Sequence, residues 1–314
     1  MFVGVEIGGT KQQLCVTDEQ GNLVERVTER FPIPNGAPDI LSWIARRLPT
    51  LLQKYPSVRR VGVGFGGPVE TATGGVLLSV QVKGWKDFHL KTWFEETFHL
   101  PTVVVNDTVA GGYAEMLLGA GRGFHSFYYT NIGTGIGGAM FMGGKTFDGV
   151  GRGGVYMGNT YVATPCGAPG EVCRLEEVCC GGAIEKRLRA PGTIPEKSLL
   201  YTLCGGDTST LTCKELGEAA RAGDETALRH LDIFAKTYGV AIANFISLFS
   251  PERVAIGGGV ANMGEVLLEP VRRVADQYVF ASARGQYDIV PCQLMDDNVI
   301  IGAALYARDG MEAL

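Results

Sequence analysis

Three glycine turns and two isolated carboxylates are where this 314-residue sequence could do chemistry. The turns are Gly8-Gly9-Thr10-Lys11, Gly133-Thr134-Gly135-Ile136-Gly137-Gly138 and Gly257-Gly258-Gly259. Successive N–H groups in a tight glycine turn can all point at one anion, and phosphate has the charge and acceptor oxygens to use them. Thr10 and Thr134 could add hydroxyl donors, and Lys11 a positive charge. For any single turn the plainer reading also stands, that hairpins use glycine because they need positive φ. Glu6 immediately precedes the first turn, and its apolar neighbours Val5 and Ile7 mean that it needs a partner. Asp107 ends the apolar run Pro101-Thr102-Val103-Val104-Val105-Asn106. It suits either a general base at a strand end or the cap of a following helix.

The elements around these residues read as two α/β lobes. Apolar runs and turn residues predict three opening strands over 2–8, 11–17 and 23–31, then a helix over 38–55 that Pro49 should kink or break. Buried strands follow at 58–64 and 101–105, the second leading into a helix near 108–118. From Ser126 the order strand, glycine turn, strand, turn, strand begins again. Helices are predicted at 176–190, 213–223, 225–249, 263–279 and 298–308, with strands at 253–256 and 288–294. The expected division is 1–122 and 123–314, with a cleft between the lobes and a last helix able to pack back on the first.

Composition narrows the function classes. Apolar residues make up 46% and charged residues 19%, which excludes a disordered or solvating chain. With 28 Lys plus Arg against 33 Asp plus Glu, the net charge of −5 invites neither nucleic acid nor an anionic membrane. The uncharged stretch 126–144 carries six glycines and reads as buried strands rather than a membrane span. No basic, then apolar leader opens the chain, so the expected compartment is the cytoplasm and the eight scattered cysteines are expected to be reduced. The pattern G-x-G-x-x-G occurs at 62–67, 133–138 and 149–154 but never leads cleanly into a helix, and no Walker A sequence is present. The phosphate turns join strand to strand.

In order along the chain stand Glu6-Ile7-Gly8-Gly9-Thr10-Lys11, Gly64-Phe65-Gly66-Gly67-Pro68, Val105-Asn106-Asp107, Asn131-Ile132-Gly133-Thr134-Gly135-Ile136-Gly137-Gly138, Ile256-Gly257-Gly258-Gly259-Val260 and Ile301-Gly302-Ala303-Ala304. Together these resemble the motifs of the ROK family of sugar kinases and related repressors. The resemblance implies an actin-like ATPase fold of two ribonuclease-H-like lobes, with Mg-ATP and a hexose as ligands. It implies phosphate binding by Gly8, Gly9, Thr10, Lys11, Gly133, Thr134, Gly135, Gly257, Gly258 and Gly259. Asp107 becomes the base that accepts the sugar hydroxyl proton, with Gly66 and Asn106 beside the sugar. Glu6 stands where the family usually has Asp, and would hold Mg²⁺ directly or through its water shell. Repressor members carry an N-terminal helix-turn-helix, whereas this chain begins on the first phosphate strand, which favours a kinase over a sugar-sensing regulator. Similar proteins are often dimers, so a homodimer is the expectation.

The chain departs from the family between residues 153 and 182. Where family kinases have Gly-Glu-x-Gly-His, with a sugar-binding Glu and a zinc-binding His, this sequence has Val155-Tyr156-Met157-Gly158-Asn159. Tyr156 and Asn159 are therefore candidate sugar contacts of altered chemistry. The family's zinc loop survives only as Thr164-Pro165-Cys166-Gly167-Ala168-Pro169-Gly170-Glu171-Val172-Cys173, with one cysteine lost and the spacing stretched. Cys179 and Cys180 would be irregular substitutes, and the expectation is buried or free thiols without zinc. Leu175-Glu176 followed by Cys180-Gly181-Gly182-Ala183-Ile184 keeps the family spacing, which makes Glu176 a sugar-hydroxyl ligand, while Glu177 should point to solvent.

Overall fold

The computed structural model describes residues 1–9, 11–79, 82–153, 155–165, 167–168 and 170–310. Thr10 and Cys166, both carrying expectations above, lie outside the described residues.

The chain opens on β1 (Phe2–Ile7), β2 (Gln12–Thr17) and β3 (Leu23–Glu29). β1 and β2 are buried almost throughout, and β3 alternates with exposed residues because it is a sheet edge. α1 (Ala37–Lys54) buries Ile40, Ile44, Leu48 and Leu51 at helical spacing. It runs on through Pro49, so the expected break is absent; the apolar face continues to Leu51 and holds the helix past the lost N–H. β4 (Val61–Phe65), the hairpin β5 (Val69–Glu70) and β6 (Gly75–Val76), α2 (Leu90–Phe98), β7 (Thr102–Asn106) and α3 (Asp107–Leu118) follow.

Next come β8 (Ser126–Ile132), β9 (Ile136–Met142) and β10 (Lys145–Thr146), so the uncharged stretch forms strands and a turn. A small hairpin, β11 (Tyr161–Ala163) with β12 (Val172–Arg174), leads into α4 (Glu176–Cys179) and α5 (Gly181–Leu188). The single helix expected over 176–190 is thus split at Cys180, whose extended backbone caps α5. α6 (Leu199–Leu203), α7 (Cys213–Arg221), α8 (Glu225–Phe249), β13 (Arg253–Gly257), α9 (Glu265–Tyr278), β14 (Asp288–Pro291) and α10 (Asn298–Asp309) complete the chain. Among the described residues, α8 alone is long and apolar enough to cross a membrane, and 61% of its most apolar window is buried in the protein.

Two five-stranded sheets result, ordered β3-β2-β1-β4-β7 and β10-β9-β8-β13-β14. In each, the first three strands in sequence form one side and the next two extend the other, so one topology occurs twice. In the first sheet β1, β4 and β7 are parallel. Contacts divide the chain into two compact units, one of Met1–Tyr129, Ala139–Val155 and Gln293–Leu314, the other of Thr130–Gly138 and Tyr156–Cys292. The division passes through β8 and β9 rather than making one cut at residue 122. In the first unit α10 packs on α3, β1 and β4. It can lie against the sheet because Gly4 and Gly62 have no Cβ to strike the carbonyls of Ile300 and Ala303.

Candidate active site

In the first unit, strand register builds the site. Ile7 pairs with Phe65, and Phe65 with Asn106. The carboxyl ends of three parallel strands therefore bring together the Glu6 to Gly9 segment, Gly66 and the Asn106-Asp107 pair. Ligands of open α/β sheets bind at such ends. A Cβ on Gly66 would lie 3.3 Å from the Ile7 carbonyl and 3.4 Å from Asp107 Oδ2, so glycine keeps the neighbouring chains close.

The structure gives the capping role to Asn106. Its Oδ1 accepts the N–H groups of Thr108 (3.0 Å) and Val109 (3.3 Å), and its Nδ2 donates to the Gly67 carbonyl at 3.0 Å. Asn106 is thereby largely used within the fold, and its remaining amide hydrogen is what it can offer a ligand. Asp107 is the first residue of α3; its Oδ1 takes the Thr108 N–H at 2.7 Å and the Thr108 hydroxyl at 3.3 Å. No donor among the described residues holds Oδ2. Burial, with the nearby Glu6 charge as second cause, pushes the Asp107 carboxyl up from 3.8 to about 6. That is where a general base for neutral pH is useful.

Glu6 is mostly buried, with 15% of its side chain exposed. Its Oε2 accepts Gln13 Nε2 at 2.6 Å and lies 3.6 Å from Lys11 Nζ. Gln13 is fixed in turn by the Thr28 hydroxyl, 2.6 Å from its Oε1, so Thr28 and Gln13 orient Glu6 across three strands. Burial raises the Glu6 pKa and the Asp296 charge adds to it, while Lys11 lowers it. Glu6, Asp107 and Asp296 concentrate negative charge that the Lys11 ammonium only partly offsets. Among the described residues no three carboxylate, imidazole or thiol groups gather around one point, so a Mg²⁺ here would be held by Glu6 and its own water shell rather than by a full set of protein ligands.

In the second unit the turn after β8 is shaped from within. The Gly133 N–H donates to the Gly135 carbonyl (2.9 Å), the Gly133 carbonyl accepts the Gly181 N–H (2.8 Å), and Asn131 Oδ1 accepts the Gly137 N–H (3.0 Å). Gly133 therefore has no free N–H, and the groups left for an anion are those of Thr134 and Gly135, which have no partner among the described residues. The glycines differ in purpose. Gly258 has φ 87°, and a Cβ there would lie 2.5 Å from the Ile132 carbonyl, so packing alone demands glycine. A Cβ on Gly133 or Gly259 would meet nothing within 4 Å. Those two turns are open where a ligand's bulk would go.

The segment that departs from the expected pattern lies against this turn. Gly158, in the 3₁₀ turn Met157–Asn159, sits so close to the Ile136 carbonyl that a Cβ would collide with it. Val155, just before Tyr156, is held at φ 68°, in the left-handed region that a β-branched residue rarely enters. Glu176 opens α4, with Oε2 3.5 Å from the Ile136 N–H and Oε1 3.5 Å from Arg174 Nη1. Glu177 is exposed, as expected of it, but is also gripped by Arg174 at 2.9 and 3.0 Å. Asn159 Oδ1 lies 3.5 Å from Arg174 Nη1. A guanidinium thus lies beside Asn159. The described residues here do not fit a zinc site: Cys179 is buried, its thiol pushed up by desolvation, and beside Asn159 stands a cation rather than further ligands.

The structure brings together Glu6, Gly8, Lys11, Gly66, Asn106 and Asp107 in the first unit, and Gly133, Thr134, Gly135, Asn159 and Glu176 in the second, where Gly258 backs on Ile132. Gln13 and Arg174 escaped the sequence reading, since each acts through a partner from another element.

The chain is similar to known proteins over nearly its whole length. The chain is 32% identical over 315 residues to a glucokinase of Thermotoga maritima, covering 98% of this chain and 97% of the relative. It is 31% identical over 312 residues to a glucokinase of Halalkalibacterium halodurans, with 96% and 93% covered. A crystal structure of a ROK family glucokinase from Streptomyces griseus, in complex with glucose and AMPPNP, superposes with a TM-score of 0.84 at 29% identity, covering 98% of this chain and 99% of that one. The twice-repeated sheet is the actin-like ATPase fold. With the ROK family model matching residues 2–310, over which all six ordered motifs fall, this chain belongs to the ROK family.

Proposed function

We propose that this protein is an ATP-dependent sugar kinase that transfers the γ-phosphoryl group of ATP to a hydroxyl of a hexose or hexose derivative, with Asp107 as general base. The observation that carries the assignment is the division of labour at the strand end: Asn106 caps α3, Asp107 Oδ2 has no donor among the described residues, and burial with the Glu6 charge lifts the Asp107 carboxyl to about 6. Above that pH the carboxylate accepts the hydroxyl proton while the sugar oxygen bonds to the γ-phosphorus. The bond from that phosphorus to the bridging oxygen breaks, and ADP departs with its electron pair.

Glu6, oriented by Gln13, would hold Mg²⁺, which when bound neutralises charge on the phosphates. Lys11 places an ammonium beside the first phosphate turn, and the N–H groups of Thr134 and Gly135 serve as fixed donors in the second. Gly8, Gly9, Thr10, Gly257, Gly258 and Gly259 belong to the same phosphate-binding set. Glu176 and the remaining amide hydrogen of Asn106 take sugar hydroxyls, with Gly66 beside them. Tyr156 puts a phenol where the family has a charged sugar contact, and Asn159 an amide where it has a His, so substrates with an apolar or N-acyl substituent at that position suit the site better than unmodified glucose. A cytoplasmic homodimer is part of this proposal.

The test is ADP release with Mg-ATP and glucose, mannose, fructose or an N-acylated hexosamine, for wild type and Asp107→Asn. Sugar-stimulated ADP release that Asp107→Asn abolishes is the expected result. ATP hydrolysis indifferent to every sugar would remove the assignment.

A further inference from the structure

We propose that Arg174 is a positioning residue for sugar binding: its guanidinium, anchored by Glu177, aims the Glu176 carboxylate at the ligand. The inference rests on the kinase reading above and deepens it.

Arg174 ends β12 and Glu176 begins α4, so the two lie on either side of a change of backbone direction. Arg174 is first tied to Glu177. Its Nε and Nη2 reach Glu177 Oε1 at 3.0 and 2.9 Å, and its own N–H donates to Glu177 Oε2 at 3.0 Å. That closed clip fixes the plane of the guanidinium, since a fork of donors on one carboxylate leaves it little freedom. Nη1, the nitrogen outside the clip, then faces both Glu176 Oε1 and Asn159 Oδ1 at 3.5 Å.

Glu176 is consequently held at both oxygens and tightly at neither. Oε2 lies 3.5 Å from the Ile136 N–H, at the turn whose Thr134 and Gly135 N–H groups have no partner among the described residues. Contacts of 3.5 Å leave the carboxylate's lone pairs available to hydroxyl donors, while the charge of the guanidinium draws Oε1 to its side. Arg174 also offsets a negative charge that would otherwise oppose phosphate at the neighbouring turn. Asn159 joins the same guanidinium, so Arg174 ties the substituted segment 155–159 to the retained Glu176.

The experiment compares wild type, Arg174→Ala, Arg174→Lys, Glu176→Gln and the double variant Arg174→Ala/Glu176→Gln. Glucose, mannose and N-acetylglucosamine are the probes, with KM for sugar, KM for ATP and kcat measured separately. Arg174 is 41% exposed, so its variants should fold, and melting temperatures verify that. Arg174→Ala should raise the sugar KM about tenfold with kcat and the ATP KM within about twofold, because losing orientation removes part of a charge-assisted contact. Arg174→Lys should recover part of the loss, since it restores charge without the fork. In the Glu176→Gln background Arg174→Ala should add nothing, the signature of one residue acting through another. An unchanged sugar KM, an equal rise in the ATP KM, or an additive double variant overturns the role while leaving an active wild type, and so the kinase reading, intact. A wild type that phosphorylates neither these probes nor fructose overturns both.

Discussion

Asp107→Asn should make the protein more stable and nearly inactive at once. Asn keeps the size of the side chain and an oxygen for the Thr108 N–H, now accepted at 2.7 Å, but it neither titrates nor carries charge. A carboxyl that titrates near 3.8 unfolded and near 6 folded lowers stability by about 3 kcal/mol once ionised, at 1.4 kcal/mol per pH unit. The folded carboxyl holds its proton more tightly than the unfolded one. Wild-type stability relative to the Asn variant therefore falls as pH rises from about 4 to about 6 and stays lowered above. Urea unfolding at pH 8 should show Asp107→Asn more stable by up to about 3 kcal/mol, and at pH 4 the two proteins should coincide. Turnover should drop by about 10² to 10⁴, the usual effect of removing a positioned base, with sugar and ATP binding nearly kept. Wild-type kcat/KM should decline on an acid limb centred near 6. An Asn variant with full activity would show that Asp107 is structural. An Asn variant destabilised at pH 8 would show that its charge is held by partners rather than penalised by burial.

Other expectations separate binding from packing. Gly133→Val should leave the melting temperature without ligand nearly unchanged but abolish ATP-dependent stabilisation, because its Cβ enters open space; unaltered ATP affinity in the folded variant refutes this. Gly258→Ala should instead lower stability by about 1 to 3 kcal/mol through positive φ and the Ile132 carbonyl, measurable by denaturant unfolding without nucleotide. Elemental analysis should find less than one zinc per chain; stoichiometric zinc, lost together with folding on chelation, would contradict the reading of Asn159 and the thinned cysteine loop. Unmodified glucose should be a poor substrate that Tyr156→Glu improves by about ten- to hundredfold in kcat/KM, the worth of a charge-assisted bond. A wild type that already prefers glucose, with no gain from Tyr156→Glu, removes the role given to Tyr156.

Much of the fold was legible because apolar period and turn chemistry agree. The strands β1, β2 and β3 and the helix Glu225–Phe249 fall where the sequence predicts them, to within a few residues at the ends. The failures have tertiary causes. Pro49 lies inside α1, where the buried face outweighs a missing backbone bond. The helix expected over 176–190 divides at Cys180 because the N–H of Gly181 is drawn to the Gly133 carbonyl, a contact 48 residues distant that no local pattern encodes.

The site was legible by residue type and illegible by task. Asn106 and Asp107 are both good helix caps, and sequence alone could not decide which one caps; register does, by placing Asn106 at the end of β7 with its oxygen over the N–H groups of Thr108 and Val109. Glycines look alike in a sequence, yet Gly258 answers to packing and Gly133 to an opening, and only φ and neighbouring atoms distinguish them. Gln13 and Arg174 carry no motif because neither needs to touch a ligand; each matters by fixing a carboxylate, Glu6 in one case and Glu176 in the other. An ionised carboxylate accepts from any donor in reach, so its direction must be imposed by neighbours. The residues that impose it come from other strands and turns, and they become visible only when the strands are paired.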